Sequence, residues 1–165
     1  MNTESFHQSQ RGYFAGALLE QMKLDESIWV VTGDLGYGQF DLLQRTFPER
    51  FINVGAAEQT MLGVAVGLAL EGKKPFVYTI TSFFLRAAET ISLYLRGEGL
   101  PVRLVGGGRD DDYKHDGASH DATEAQKFLN QNLAQCFYPD TKEEVPDVIA
   151  RMVKSDKPAF ISLKR

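Results

Sequence analysis

One carboxylate stands at the head of an otherwise apolar stretch of this sequence. Glu58 lies in FINVGAAEQTMLGVAVGLALEG, residues 51–72, where Met61, Leu62 and most of their neighbours are apolar. A carboxyl group held out of water can share a proton with a nitrogen base and act as a general acid or base. The alternative is a first-turn acid that complements a helix dipole, an effect of about 0.3–1 kcal/mol. Spacing alone leaves both interpretations open.

A second polar motif follows further along the chain. HDGASH, residues 115–120, contains two histidines and an aspartate. His120 can donate or accept a hydrogen bond near neutral pH, which suits it to an oxyanion that forms on a substrate. A metal site is disfavoured, because the step from His115 to His120 is poor for a helical ligand pair and no cysteine accompanies it. A loop histidine without function is the alternative.

Short β-rich runs alternate with helical patterns along the chain. The patterns predict strands at 27–33, 74–80, 100–106 and 157–164, and helices at 12–24, 57–71, 84–97, 122–131 and 141–154. This alternation predicts a single doubly wound α/β domain, with a mainly parallel sheet flanked by helices. Thr141 with Glu144 fits a capping box, and Gly72 fits a helix stop. Ligands of such sheets bind beyond the carboxyl ends of the strands, so chemistry is expected in those loops.

The composition excludes several classes of function. The chain has 165 residues, 43% apolar and 24% charged, with a net charge of -4 and a pI near 5.4. It therefore lacks the basic face that nucleic-acid binding requires. No apolar stretch is long enough to cross a bilayer, and the amino terminus shows no targeting pattern. Cys136 is the single cysteine and lies in an apolar setting typical of a buried thiol, so we expect a cytoplasmic protein without membrane or nucleic-acid partners.

The predicted helix that begins near Glu58 is apolar nearly all round, which is typical of a helix buried on most sides. Gly63 and Gly67 lie one turn apart on it, and each costs about 1 kcal/mol relative to alanine. Close approach of another backbone explains glycine at both positions. A subunit interface would supply that backbone.

Three motifs follow one another in a recognisable order: NVGAAEQ at 53–59, TSFFLRA at 81–87 and DGASH at 116–120. Together they resemble the pyrimidine-binding domain of thiamine diphosphate enzymes of the transketolase and deoxyxylulose-phosphate synthase type, over nearly the whole chain. The resemblance implies the thiamine diphosphate-binding fold of pyrimidine type. It also implies that Glu58 hydrogen-bonds a ring nitrogen of the aminopyrimidine and so promotes deprotonation of the thiazolium carbon. Phe83 matches the aromatic residue that packs on that ring, with ordinary core packing as the alternative.

The resemblance implies further site residues. His120 and Asp116 match residues that contact sugar hydroxyl groups in transketolases. Asp34 matches an aspartate near the cofactor, with a turn-forming aspartate as the alternative. Arg86, in TSFFLRA, is assigned to the cofactor together with Phe83. Residues that hold substrate phosphate in this family are matched by three arginines that also fit ordinary surface positions: Arg11, Arg109 and Arg165.

Enzymes of this family need a second domain, whose GDG and downstream NN motifs hold the diphosphate and the metal. Neither motif occurs here in that arrangement, since GDLGYG lacks the spacing. We also expect the carboxyl-terminal domain of transketolase to be absent. The resemblance therefore implies a split enzyme, in which residues 1–165 form one pyrimidine-binding domain and a separate subunit brings the diphosphate site and Mg2+ (or Ca2+). A heterotetramer with two chains of each kind would place two cofactors at the interfaces.

One loop departs from the family pattern and bears on the substrate. RDDDYKHDGASH carries Asp110, Asp111 and Asp112 together, with Ser119 in place of the usual threonine. Three carboxylates that face the pocket would repel a phosphorylated sugar, which favours a nucleotide-activated sugar or an unphosphorylated carbonyl compound as acceptor. The alternative is a solvated acidic tip that touches nothing.

The leading hypothesis is a subunit that transfers a two-carbon ketol unit to an aldehyde or other carbonyl acceptor. Within the same chemistry, a subunit of a decarboxylating synthase or of a 2-oxo acid dehydrogenase is the alternative. A non-catalytic binding or regulatory module is the alternative of another class. An NAD-type domain is disfavoured, because no predicted strand is followed by G-x-G-x-x-G.

Overall fold

The computed structural model describes residues 8–165, which are built around one sheet of six strands. The strands are β1 (Ile28–Thr32), β2 (Phe51–Asn53), β3 (Lys74–Ile80), β4 (Arg103–Gly107), β5 (Gln135–Phe137) and β6 (Ala159–Leu163). The helices are α1 (Gln10–Leu24), α2 (Asp41–Thr46), α3 (Glu58–Leu70), α4 (Ala88–Thr90), α5 (Thr123–Asn132) and α6 (Val145–Lys154). A π-helical segment, Ile91–Gly97, continues α4, and short 3₁₀ turns lie at Pro48–Arg50, Thr81–Ala87, Lys114–Asp116, Ala118–His120 and Lys142–Glu144.

The strands lie side by side in the order β2-β1-β3-β4-β6-β5, and every neighbouring pair is parallel. Val31 lies opposite Val77, and Val77 lies opposite Leu104, so apolar side chains continue across the central strands. The predicted doubly wound α/β fold is confirmed. Within the described residues, the sheet is wholly rather than mainly parallel.

Two apolar cores cover the two faces of the sheet. Because successive side chains of a strand point to opposite faces, Val30 packs into one core and Val31 into the other. The first core receives α1 and α6, for example Phe14 and Met152. The second core receives α3, the π-helical segment and α5, for example Met61. Burial on both faces is the reason that the strands read as continuous apolar runs.

The helix boundaries follow the predicted capping signals. Thr141 and Glu144 form the expected capping box at the turn that leads into α6. Gly72 follows α3 with φ at +73°, a conformation that favours glycine, and the N–H of Lys73 donates to the carbonyl of Leu68 at 2.9 Å. No helix within residues 8–165 is long and apolar enough to cross a membrane.

In the single chain, helix α3 has one buried side and one open side. Met61 is fully buried, whereas the side chain of Leu70 is 67% exposed. A Cβ atom built at Gly63 or Gly67 meets nothing within 4 Å. The expected burial on most sides is therefore not reached within this chain, and the open face carries both glycines.

Candidate active site

Glu58 is the first residue of α3, at the carboxyl-end edge of the sheet. The chain leaves β2, turns through Gly55, where φ is +75°, and enters the helix after Ala57, whose N–H donates to the carbonyl of Gly55 at 2.7 Å. Ala57 offers no side-chain cap to the first helical turn. Glu58 is only 7% exposed, and its acid lies in the turn where the helix dipole favours negative charge. Glu58 therefore fits both of its interpretations, as an acid that complements the helix dipole and as an acid of an active site.

Three further side chains extend from Glu58 in a continuous series of contacts. Arg86 Nη1 donates to Glu58 Oε1 at 2.6 Å, and the Arg86 guanidinium lies 3.8 Å above the centre of the Phe83 ring. The edge of the Phe83 ring meets the His120 ring, with the centroids 5.1 Å apart and an interplanar angle of 66°. Four of the predicted site residues, Glu58, Arg86, Phe83 and His120, therefore lie together.

The loop that carries His120 is held against the turn that carries Phe83. Ser82 Oγ donates to the carbonyl of Ser119 at 2.8 Å, and Ser119 Oγ lies 3.1 Å from His120 Nδ1. Asp116 lies on the preceding 3₁₀ turn, exposed, with Oδ2 3.5 Å from Nε2 of His115. Asp116 thus shares the loop of His120, and none of the described contacts joins it to Glu58 or Phe83.

Asp34 lies in a tight turn after β1 with φ at +60°. Asn53 braces this turn, since its Oδ1 accepts from the N–H groups of Asp34 and Gly55 at 2.9 and 3.0 Å. Hydrogen bonds from the Tyr37 hydroxyl and from Asn53 lower the pKa of the Asp34 carboxyl. Asp34 is therefore a turn residue that Asn53 holds in place, and its cofactor role remains a prediction.

Two of the three predicted phosphate arginines, Arg11 and Arg165, meet Tyr113 and His115 in a second cluster, which we call the Arg11 cluster. Arg11 Nη1 donates to the hydroxyl of Tyr113 at 2.9 Å. The Arg165 guanidinium lies 5.2 Å from the centre of the same tyrosine ring, and its Nη1 is 3.1 Å from Nε2 of His115. Arg11 Nε is buried and has no hydrogen-bond partner within residues 8–165. Arg11 and Arg165 thus meet at Tyr113, a residue that the sequence analysis did not select.

Arg109 points into the protein rather than toward solvent. It is 7% exposed, and its Nη2 donates to the carbonyls of Pro139 and Ser162 at 2.9 and 2.6 Å. Asp140 Oδ1 lies 3.7 Å from Nη1. These contacts occupy much of the guanidinium, and a phosphate role for Arg109 remains a prediction that none of them favours.

The acidic loop at 110–112 was interpreted either as carboxylates that face the pocket or as a solvated tip without contacts, and neither interpretation fits all three residues. Asp112 Oδ2 accepts from the N–H of Arg109 at 2.9 Å and from the N–H of Arg165 at 3.0 Å, so it ties the loop to the chain after β6. Asp110 and Asp111 are exposed. One of the three carboxylates is therefore structural, and only the other two face solvent.

The sequence did not predict three residues whose hydrogen bonds hold the loops of the site in place, nor the pairing of Arg86 with Glu58. Ser82, Asn53 and Tyr113 form the hydrogen bonds that hold its loops, and Arg86 pairs with an acid 28 positions away. One signal was available, because Ser82 and Asn53 are polar residues at or just beyond the carboxyl ends of strands. Tyr113 has no such signal, since it lies in an irregular loop.

A cleft of about 290 Å³ opens beside Glu58, lined by Ala57, Glu58, Gln59, Thr60 and Arg86. Two larger clefts, of about 430 and 460 Å³, lie near residues that precede strands, one beside Trp29 and the other beside Leu133. Size alone would favour those two. The smaller cleft carries the buried acid and lies beyond the carboxyl ends of the strands, so it is the better candidate.

The burial of Cys136 argues against a reactive thiol. Burial raises its pKa to about 11, and its Sγ lies 3.7 Å from the carbonyl of Leu129. A thiol with a raised pKa carries little thiolate at neutral pH and is a poor nucleophile.

Comparison with known proteins assigns the family. The model of the transketolase pyrimidine-binding domain matches residues 7–165. The chain is 28% identical over 158 residues to the 6-deoxy-6-sulfo-D-fructose transketolase subunit SqwH of Clostridium sp. (strain MSTE9), which covers 94% of this chain and 49% of that protein. It is 39% identical over 99 residues to a probable chloroplastic 1-deoxy-D-xylulose-5-phosphate synthase of Capsicum annuum, covering 59% of this chain and 14% of that one.

Solved structures give the same fold. A split gene transketolase, described as an inactive beta4 tetramer, superposes with a TM-score of 0.83 at 28% identity, covering 95% of this chain and 51% of that chain. Transketolase from Leishmania mexicana superposes with a TM-score of 0.84 at 19% identity, covering 99% of this chain and 26% of that chain. The chain spans about half the length of the SqwH subunit and of the split transketolase, and less of the other two proteins. The chain belongs to the family of transketolase pyrimidine-binding domains.

Proposed function

We propose that this chain is the pyrimidine-binding subunit of a two-chain, thiamine diphosphate-dependent enzyme that transfers a two-carbon ketol unit to an aldehyde or other carbonyl acceptor. The observation that carries the proposal is the buried carboxyl of Glu58, which begins α3 beside an open cleft and is joined to the Phe83 ring through Arg86. Burial of an acid is costly, and this carboxylate is paired only with a half-exposed arginine among the described residues, so a ligand with a complementary polar edge can bind it at the cleft.

The residues around Glu58 fit an aminopyrimidine ring. Among the described residues, only Arg86 donates to the Glu58 carboxylate, so this group can hydrogen-bond a ring nitrogen. Phe83 offers an aromatic surface for stacking. When bound, thiamine diphosphate supplies a carbon nucleophile and an electron sink. Glu58 would hold a proton between its carboxylate oxygen and the ring nitrogen, and this role requires the low water access that its burial supports.

The substrate side of the site would be formed by His120 and Asp116. His120 lies against Phe83, where an imidazole can donate to an oxygen that becomes negative during the reaction. Asp116 lies on the same loop and would accept from sugar hydroxyl groups. Arg11 and Arg165 would hold an anionic end of the substrate, because a guanidinium binds phosphate or sulfonate oxygens. The acceptor class stays wider than sugar phosphates, since Asp110 and Asp111 add exposed negative charge nearby.

The second chain would supply the diphosphate site and Mg2+ (or Ca2+). Within residues 8–165, no cluster of three or more His, Cys, Asp or Glu side chains could hold a metal ion. The open face of α3, with Gly63 and Gly67, is suited to close contact with another backbone. We propose that residues 1–165 act as one domain in a cytoplasmic α2β2 heterotetramer. The likeness to a protein named as a split gene transketolase supports a division of the enzyme into two chains.

The test is coexpression with the partner candidate that the neighbouring reading frame encodes, provided that the partner candidate carries the GDG and NN motifs. Ketol transfer from a ketose donor is measured with and without thiamine diphosphate. We expect Glu58→Gln to lower turnover by about 10²–10⁴-fold, because the amide cannot share a proton with the ring nitrogen. Glu71→Gln, an exposed acid at the other end of α3, is the matched control and should leave turnover unchanged.

Two results would contradict the proposal. Carbon dioxide release from pyruvate without ketol transfer would favour a decarboxylating synthase or dehydrogenase subunit. Absence of thiamine diphosphate binding, by this chain and by every copurifying partner, would favour a non-catalytic module. If the Glu58→Gln protein assembles with its partner like the wild type, misfolding is excluded as the cause of its lower turnover.

A further inference from the structure

Arg86 occupies both of the contacts that the candidate pyrimidine site offers. Its Nη1 donates to Glu58 Oε1 at 2.6 Å, and its guanidinium covers one face of the Phe83 ring at 3.8 Å. The carboxylate is only 8% exposed at its side chain, whereas the side chain of Arg86 is 50% exposed. A half-exposed cation thus lies between a buried acid and an aromatic ring.

We propose that Arg86 closes the pyrimidine site in the unliganded chain, and that the ring must displace its guanidinium from Glu58 and Phe83 in order to bind. This inference rests on the proposed function. An arginine fork and a heterocycle both use a carboxylate as hydrogen-bond partner and an aromatic face for stacking, so the two compete for the same surfaces. Arg86 is then a positioning residue that acts through Glu58.

The energies allow such displacement. A half-exposed ion pair and a cation–π contact near the surface are each weak, so the closed arrangement is stable but easily opened. Closure also gives the buried carboxylate of Glu58 a hydrogen-bond partner while the cofactor is absent. Removal of Arg86 therefore destabilises the unliganded site and leaves the liganded site nearly unaffected.

This competition predicts that loss of Arg86 raises the affinity for the cofactor, whereas structural damage would lower it. In the two-chain complex, we expect Arg86→Ala to bind thiamine diphosphate about three- to tenfold more tightly than the wild type, because the ring no longer competes with the two weak contacts. The variant without cofactor should melt at a lower temperature, and the cofactor should raise its Tm by more than it raises that of the wild type. Arg86→Lys keeps the charge but loses the planar stack, so its affinity should lie between the two.

The control is Arg96→Ala, which removes an exposed arginine of the π-helical segment that does not line the cleft beside Glu58. Its affinity for thiamine diphosphate should equal that of the wild type. Calorimetric titrations with thiamine diphosphate and with thiamine, which carries the same pyrimidine without the diphosphate, should give the same order of variants. Weaker or equal binding by Arg86→Ala, with normal binding by the wild type, would overturn the role of Arg86 and leave the proposed function standing. Failure of wild type and variant alike to bind either probe would overturn both.

Discussion

The two ends of the sheet use buried charge in opposite ways. At the end where the strands begin, Arg103 is 1% exposed and donates to the carbonyls of Met152, Ser155 and Pro101, at the last turn of α6 and the start of β4. At the end where the strands finish, Glu58 is nearly as buried but has one donor, Arg86, whose side chain is half exposed. Charge that is fully satisfied by backbone stabilises the fold, whereas charge with one displaceable partner is available to a ligand.

Arg50 repeats the first arrangement at α1. Its guanidinium donates to the carbonyls of Met22 and Asp25 at 3.2 Å, at the end of that helix. The last carbonyls of a helix lack partners within the helix, and a cation near them also favours the helix dipole. Both arginines thus hold helix ends, and neither lies near the candidate site.

The largest change in stability is expected at Arg103. Arg103→Met should lower the free energy of unfolding by about 3 kcal/mol, because three buried or partly buried carbonyls lose their donor. Burial lowers the pKa of Arg103 to about 10, so the native side chain is still charged at neutral pH. Denaturant unfolding measures the change, with Arg96→Met as the exposed control. An equal loss in both variants would contradict the contrast between the two ends.

A smaller loss is expected at Asp112. Asp112→Ala removes the acceptor that serves the N–H groups of both Arg109 and Arg165, and should lower the free energy of unfolding by about 1–2 kcal/mol. The exposed neighbour supplies the comparison, because Asp111→Ala should change stability by no more than about 0.5 kcal/mol. Equal effects at the two positions would mean that the whole acidic loop is solvated.

Substitution of the two glycines of α3 should change stability and assembly in opposite directions. Gly63→Ala and Gly67→Ala should each raise the free energy of unfolding of the isolated chain by about 1 kcal/mol, since alanine favours the helix and the new methyl group meets no atom. The same substitutions should weaken association with the partner chain, measured by titration in an ultracentrifuge. Stabilisation without any loss of association would show that this face is not the interface.

The smallest effect concerns acid stability at the end where the strands begin. Burial raises the pKa of Asp25, but hydrogen bonds from Lys74 and Ser27 outweigh it and bring the pKa from 3.8 down to about 2. A depressed pKa means that the carboxylate stabilises the fold above the unfolded value of 3.8, and that this contribution is lost as pH falls toward 2. Because the pair with Lys74 is partly exposed, the loss should stay below about 1 kcal/mol.

Asp25→Asn provides the check. The stabilities of the wild type and of Asp25→Asn should differ most above pH 3.8 and converge as the pH falls from 3.8 toward about 2. A constant difference across that range would assign the stabilisation to packing rather than to charge.

Much of the fold was predictable because its central strands carry long apolar runs. The predicted strand at 74–80 is β3 with the same bounds, and those at 27–33 and 157–164 contain β1 and β6. Strands β2 and β5 were missed, because each has three residues and lies at an edge of the sheet, where the apolar pattern is too short to recognise.

The site was predictable in part for the same kind of reason. Glu58 begins α3 as its place in the sequence indicated, because a helix start is a local property. Its ion pair with Arg86 depends on how the turn after β3 lies across the start of α3, which no local pattern specifies. Arg109 was predicted as a phosphate ligand because it matches a family residue. Its guanidinium instead lies inside the protein and donates to backbone carbonyls, a contact that the sequence pattern does not specify.

We propose that Glu58 becomes a cofactor ligand only where two chains meet. Titration of thiamine diphosphate into this chain alone, into the partner alone and into their complex tests it directly. We predict tight binding by the complex, binding too weak to measure by either chain alone, and a large loss of affinity or turnover in the Glu58→Gln complex. Equal affinity for one isolated chain, or a Glu58→Gln complex that binds and turns over like the wild type, would contradict it.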